Sequence, residues 1–233
     1  MPGAGSRIMS IDPDSYARWR ATALGEITER LEVELVFTLA GCRAGMCVLD
    51  VGTGDGTYAI EAARRGASVV GVDPSAAMLM AAERRASAAG VHIDLQSAPA
   101  TALPFPDASF DRVLAVTVLC FVEDPSLAIA EMARVTRPGG KIILGELNRW
   151  SLWAARRRLA AWSNGGLWQG VQFWSRGQLA RLAEGAGLAV HAVRGAVHFP
   201  PSELCARVGE RCDRWLSSKQ APGAAFLALE ARK

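Results

Sequence analysis

Apolar positions along this chain follow two alternating periods. Short apolar runs at 47–51, 68–73, 91–95, 110–117, 141–147, 188–193 and 224–229 read as strands. Segments at 26–39, 58–65, 76–89, 126–135, 176–184 and 203–216 instead carry apolar residues three and four apart, the spacing of one helix face. Punctuation agrees with this reading. Ser75 and Ser175 stand at N-cap positions, Asp124-Pro125 opens a helix with proline in its first turn, and Gly41, Gly66, Gly90 and Gly185 stand where helices stop. Strands alternating with helices of these lengths predict an α/β chain with a doubly wound parallel sheet. In such sheets a ligand lies beyond the carboxyl ends of the strands, where strand order reverses. Strand one ends at Asp50 and strand two at Asp73, so both carboxylates are expected to face that crevice.

Two other segments have patterns of their own. At 203–216, Leu204, Cys205, Val208, Cys212, Trp215 and Leu216 fall within about 120° of one another at about 100° per residue, with Arg207, Arg211 and Arg214 beside them. This stripe is expected to pack on the core. Residues 150–174 hold Trp150, Trp153, Trp162, Trp168 and Trp174 together with Arg156, Arg157 and Arg158. Three consecutive arginines span roughly 200° of the helix surface, and Trp162 lies on a different side from Trp150 and Trp153. Segregation is therefore poor for a helix lying on a membrane. The preferred reading is a lid, partly on the sheet edge and partly over a ligand, whose aromatics suit an apolar or aromatic molecule. Near the start, Asp12-Pro13 opens a helix with Tyr16 and Trp19 on one face. Residues 1–10 are small and polar and are expected to be disordered.

The candidate chemistry centres on Val48-Leu49-Asp50-Val51-Gly52-Thr53-Gly54-Asp55-Gly56. A strand feeding a glycine loop and then a helix lets backbone approach a ligand closely. A dinucleotide fingerprint reads G-x-G-x-x-G. Here the third glycine comes one position early, and Asp50 adds a carboxylate that would repel a pyrophosphate. A ligand carrying an ammonium and a sulfonium and no phosphate suits that charge, which favours S-adenosylmethionine over NAD. Asp73, at the end of the second strand, can accept both hydroxyls of a ribose.

With Gly71-Val72-Asp73-Pro74-Ser75, the glycine stretch resembles the first two motifs of the class I S-adenosylmethionine-dependent methyltransferases. Leu103-Pro104-Phe105-Pro106-Asp107-Ala108-Ser109-Phe110-Asp111 and Arg137-Pro138-Gly139-Gly140 are similar to signatures of the branch called type 11. The resemblance covers roughly residues 45–147. It implies a Rossmann-like seven-stranded sheet of order 3-2-1-4-5-7-6 with the last strand antiparallel. It also implies a cofactor site made of Asp50, Gly52, Thr53, Gly54, Gly56, Asp73 and Pro74, with Thr117 near the methionine moiety. Tyr16 and Trp19 resemble the family's leading lid, although packing on the sheet reads equally well. The family acid that would bind adenine is replaced here by Pro99, leaving the backbone N–H of Ala100 for that contact. A general base is needed only for an un-ionised acceptor. His198, at the start of the six-to-seven connection, and Glu146, at the end of strand five, are the candidates.

The implied activity is methyl transfer to a small apolar or aromatic acceptor. Two alternatives stay open at this point: a non-catalytic adenosylmethionine-binding or lipid-binding protein on the same fold, and an NAD-dependent oxidoreductase. The expected organisation is one domain over 1–233, with a helical lid at 1–41, a cofactor core at 45–147, an insertion at 148–174, and helices with the last two strands at 175–233. A formal charge of +3 gives little support for nucleic acid as partner. Membrane contact stays open but is not favoured, no transmembrane helix is expected, and the chain reads as cytoplasmic. Five cysteines without a C-x-x-C pair predict no metal site and buried free thiols in a reducing compartment.

Overall fold

The computed structural model describes residues 13–164, 171–220 and 222–233. The readings for residues 1–10 and Trp168 lie outside the described residues, as do the side chains of Tyr16 and Trp162. In chain order the elements are α1 (Pro13–Arg20), α2 (Ala23–Ala40), β1 (Cys47–Val51), α3 (Thr57–Arg64), β2 (Ser68–Val72), α4 (Ala76–Ala88), β3 (Asp94–Gln96), β4 (Phe110–Val116), α5 (Pro125–Val135), β5 (Thr136–Leu147), α6 (Leu152–Asn164), α7 (Arg176–Gly185), β6 (Ala189–Ala196), α8 (Glu203–Ser218) and β7 (Phe226–Arg232). The strands form one sheet of order β3-β2-β1-β4-β5-β7-β6, with β7 antiparallel to both neighbours. Strand order reverses between β1 and β4, which puts the crevice at their carboxyl ends.

Alternation along the strands divides the core into two layers. Val48, Val69, Leu114, Ile143 and Phe226 pack towards α2, α3 and α4, while Leu49, Val72, Val113, Leu144 and Leu227 pack towards α5 and α7. The helix starts behave as their residues dictate. Ser75 accepts from the Met78 N–H, Asp124 accepts from the Leu127 N–H, and Ser175 with Gln178 forms a reciprocal capping box.

Three expectations change. β3 is shorter than 91–95 because the Val91 N–H still bonds the Ala86 carbonyl at 3.1 Å, so the chain spends 91–93 leaving α4. Cys212 is an exposed thiol, whereas Cys42 and Cys120 are buried; all five cysteines are free. The largest correction is in α8. Leu204, Val208 and Trp215 are 72%, 67% and 62% exposed, and the buried residues are Ala206 and Asp213. The reason is packing distance and hydrogen bonding. Gly209 lies so close to Phe199 that a Cβ there would stand 2.9 Å from its ring, and Asp213 is needed below to bind the chain leaving β6. The small face of α8 therefore turns inward and the large apolar face turns outward. Among the described residues no helix is long and apolar enough to cross a membrane.

Candidate active site

The glycine loop has the geometry its residues allow. Gly52, Gly54 and Gly56 have φ of 64°, 54° and 83°, in the left-handed region that favours glycine. At Gly52 a side chain would also collide with Val118, whose Cγ2 lies 2.6 Å from an ideal Cβ. Bare backbone thus reaches the end of β1, directly against the turn that follows β4.

Asp50 is buried at the end of β1. It accepts from the Thr53 hydroxyl at 2.7 Å, and burial pushes its pKa up to about 7. Its hydrogen-bond partners are neutral, and its charged neighbours Asp55 and Asp73 are also acids. Asp73, buried at the end of β2, accepts from the Gly54 N–H at 3.0 Å and the Ser75 N–H at 2.8 Å, and burial raises it too. This donor set suits a ligand that brings positive charge and hydroxyls. A phosphate would add to the unanswered negative charge of Asp50 and Asp73. Pro74 next to it is exposed. Ala98 and Ala100 are buried on either side of an exposed Pro99.

A latch absent from the sequence reading holds the loop. Asp55 is buried between Arg20 at 2.5 Å and Arg85 at 2.6 Å, and Thr57 accepts from both guanidinium groups. Arg20 ends α1, so the leading helix is tied to the glycine loop by an ion pair. The turn behind it is tight. Thr22 donates to the Trp19 carbonyl, and a Cβ on Gly25 would stand 2.2 Å from that same oxygen. Trp19 is half-buried. The available signal was an acid inside a glycine loop, which is a costly place for a carboxylate without a partner.

The other side of the crevice is built on β4, β5 and β6. Thr117 has a φ of 57°, an uncommon conformation for a residue other than glycine. It is held from two sides: its N–H bonds the Gly145 carbonyl at 2.7 Å, and the next two N–H groups, of Val118 and Leu119, bond Glu146 Oε1 at 3.1 and 2.7 Å. Glu146 is fully buried, and burial raises its pKa to about 8. Its second oxygen, Oε2, has no hydrogen-bond partner among the described residues, while the Cys120 thiol and N–H also help to hold the carboxylate. The Cys120 thiol beside it is pushed up by burial and by that carboxylate. An extended strap at 171–174 runs along the ends of these strands. The Trp174 N–H bonds the Leu147 carbonyl and the Gln172 N–H bonds the Cys120 carbonyl. Cys120, Leu147 and Val171 pack with Phe121 and Phe173 into a small apolar cluster.

His198 follows β6 and is buried. Asp213 of α8 accepts from the Val197 N–H, the His198 N–H and, at 2.8 Å, His198 Nδ1. The carboxylate makes Nδ1 the donor, and Nε2 has no hydrogen-bond partner among the described residues. Glu146 and His198 are not brought together: β7 lies between their strands, a separation of roughly 10 Å in sheet spacing. Asp213 escaped notice because it sits opposite the apolar stripe, where a solvent face was expected. From α6, Trp153 donates to the Phe199 carbonyl at 2.8 Å, and Arg157 lies 5.2 Å over the Trp153 ring. Arg157 faces Glu32 of α2, whose pKa burial raises to about 8 against the pull of that cation. The insertion thus packs through its Trp153–Arg157 face against α2 and the segment after β6. Among the described residues no cluster of His, Cys, Asp and Glu could hold a metal ion.

Residues 49–144 match the model of a family described as a methyltransferase domain. A ubiquinone biosynthesis O-methyltransferase of Idiomarina loihiensis is 35% identical over 162 residues, 67% of this chain and 67% of that protein. A demethylmenaquinone methyltransferase of Renibacterium salmoninarum is 43% identical over 114 residues, 49% of this chain and 46% of that protein. Several other curated relatives are spanned by this chain over only 39% of their length. In fold, the chain is similar to a crystal structure from Thermotoga maritima described as a SAM-dependent methyltransferase and possible histamine N-methyltransferase. That likeness has a TM-score of 0.73 and 24% identity, over 94% of this chain and 95% of the other.

Proposed function

This chain belongs to the S-adenosylmethionine-dependent methyltransferases, and we propose that it methylates the hydroxyl oxygen of a small aromatic molecule. The cofactor supplies a methyl group activated by sulfonium. The observation that carries the acceptor reading is Glu146. One of its oxygens holds the turn beside the glycine loop, and the other is buried without a hydrogen-bond partner among the described residues, next to the strap. A buried carboxylate in that position is a general base for an un-ionised hydroxyl. The name of the Idiomarina loihiensis relative, an O-methyltransferase, points to the same acceptor chemistry.

In this reading Asp50 offers its charge to the cofactor's ammonium. Asp73 takes the ribose hydroxyls, Gly52, Thr53, Gly54 and Gly56 let backbone close on the cofactor, and Pro74 and Ala100 flank the adenine. Thr117, in its left-handed turn, presents backbone to the methionine end. Trp19 closes the leading lid, which Arg20 anchors at Asp55. Glu146 Oε2 takes the hydroxyl proton as the new C–O bond forms and the electron pair of the broken C–S bond returns to sulfur. Orientation of hydroxyl and methyl in line supplies most of the rate. His198, held by Asp213, is the second candidate base. The unpaired cysteines suit the reducing cytoplasm.

The test is turnover to S-adenosylhomocysteine with a panel of phenols and hydroquinones, for the wild type and Glu146→Gln. Turnover that needs a hydroxyl and drops sharply in the variant supports the assignment. Cofactor binding without turnover on any acceptor, including a cell extract, would make the chain a non-catalytic binder on the same fold.

A further inference from the structure

We propose that the outward face of α8 docks this protein on a lipid bilayer bearing anionic headgroups. Leu204, Val208 and Trp215 project from α8 within roughly 40° of one another, along about 16 Å of helix, and all three are exposed. Arg207 and Arg211 line one side of this ridge, and Cys212 and Lys219 line the other; all four are exposed. The two acids nearest the ridge are already engaged: Glu203 pairs with Arg207, and Glu210 pairs with Arg30 of α2. The third acid, Asp213, is buried underneath against His198. Arg211 and Lys219 have no ion-pair partner among the described residues, so the face is net positive. An apolar ridge with a tryptophan, bordered by cations on both sides, is the pattern of a helix lying in a membrane interface.

The neighbouring element extends the surface. Trp150, Leu152 and Leu159 beside and on α6 are 67%, 63% and 64% exposed. Arg156 of α6 donates to the Pro201 carbonyl at 3.0 Å, three residues before Leu204. The outer side of α6 therefore meets the start of α8, and Arg156 and Arg158 add exposed cations. Exposed apolar side chains scattered singly would need no explanation, but these are aligned in rows with like-charged borders. Charge also decides against a second copy of the chain as occupant. Self-pairing across a two-fold axis would set arginine borders against arginine borders, whereas anionic headgroups answer them.

This inference stands on the outer faces of α8 and α6 and does not use the acceptor assignment. The experiment is co-sedimentation of the full chain with vesicles of phosphatidylcholine alone and of phosphatidylcholine with phosphatidylglycerol. It is run on the wild type and on a Leu204→Glu, Val208→Glu, Trp215→Glu triple variant, and again with Arg207→Glu, Arg211→Glu. All the substituted residues are exposed, and melting curves with S-adenosylmethionine affinity establish that each variant folds. The expected result is binding at least ~tenfold tighter to anionic vesicles, weakened by salt and lost by ~tenfold or more in both variants. Equal affinity for both vesicles, no binding to either, or wild-type binding by the folded triple variant would overturn it. A wild-type dimer that the triple variant dissolves would also overturn it, by making the occupant a second copy.

Discussion

The two halves of the crevice solve the same problem differently. Each has a buried acid that accepts backbone N–H groups and so fixes a turn: Asp73 holds Gly54 and Ser75, and Glu146 holds Val118 and Leu119. In the β1–β2 half the acids come as a group, and Asp50 is left with neutral partners, so what is missing is positive charge. In the β5–β6 half, Glu146 Oε2, beside an apolar and aromatic cluster, and His198 Nε2 have no hydrogen-bond partner among the described residues. In the proposed function the first half takes a cation with hydroxyls and the second an apolar molecule that offers one proton. The difference is that between binding and chemistry. On the proposed function, one half would hold its ligand whatever the acceptor, and the other would determine what is methylated.

This contrast can be broken most severely at Glu146. Glu146→Gln keeps an oxygen for the Val118 and Leu119 N–H groups and removes the base. Turnover on a hydroxyl acceptor should fall by about 100-fold or more, while calorimetric affinity for S-adenosylmethionine stays within about twofold. Because the base must be ionised and its pKa is raised to about 8, wild-type kcat/KM should climb as pH rises towards 8. The residual rate of the variant should lack that climb.

Asp73→Ala acts on the other half. It should weaken cofactor binding by about 2–3 kcal/mol, the scale of hydrogen bonds to a charged group. An unchanged dissociation constant would remove Asp73 from the ribose.

A smaller effect separates charge from shape. Burial holds Asp50 near a pKa of about 7, and a bound cation would lower it. The free protein then carries a proton that the complex releases, so affinity for the cofactor should rise with pH through 7, by up to about tenfold over the two units centred there. Asp50→Asn should flatten that dependence. The smallest effect is expected at His198→Asn: if Glu146 is the base, turnover should fall less than about tenfold. A larger loss there than in Glu146→Gln would exchange the two roles.

Legibility in the sequence follows the same division. The β1–β2 half was readable because glycine at a positive φ and acids at strand ends are local requirements, set by adjacent residues. Seven strands and their order followed from the alternation and the resemblance, and the sheet matches both. The Asp55 latch and the Asp213–His198 pair were not readable, since each joins residues far apart in the chain: Arg20 to Asp55, and the end of β6 to α8. The orientation of α8 was misread for a physical reason. A helix with a strong apolar stripe is ordinarily turned inward, but here a glycine contact with Phe199 and a buried aspartate outweigh three large apolar side chains. The stripe was correctly located, and the inference that apolar means buried failed.

The most direct measurement is calorimetric titration of the purified chain with S-adenosylmethionine, S-adenosylhomocysteine and NAD. The account predicts that the first two bind and NAD does not, with the affinity for S-adenosylmethionine reduced in Asp73→Ala and dependent on Asp50. Binding of NAD, or failure of both adenosyl ligands to bind a chain that melts cooperatively, would contradict a site built for a cation without phosphate.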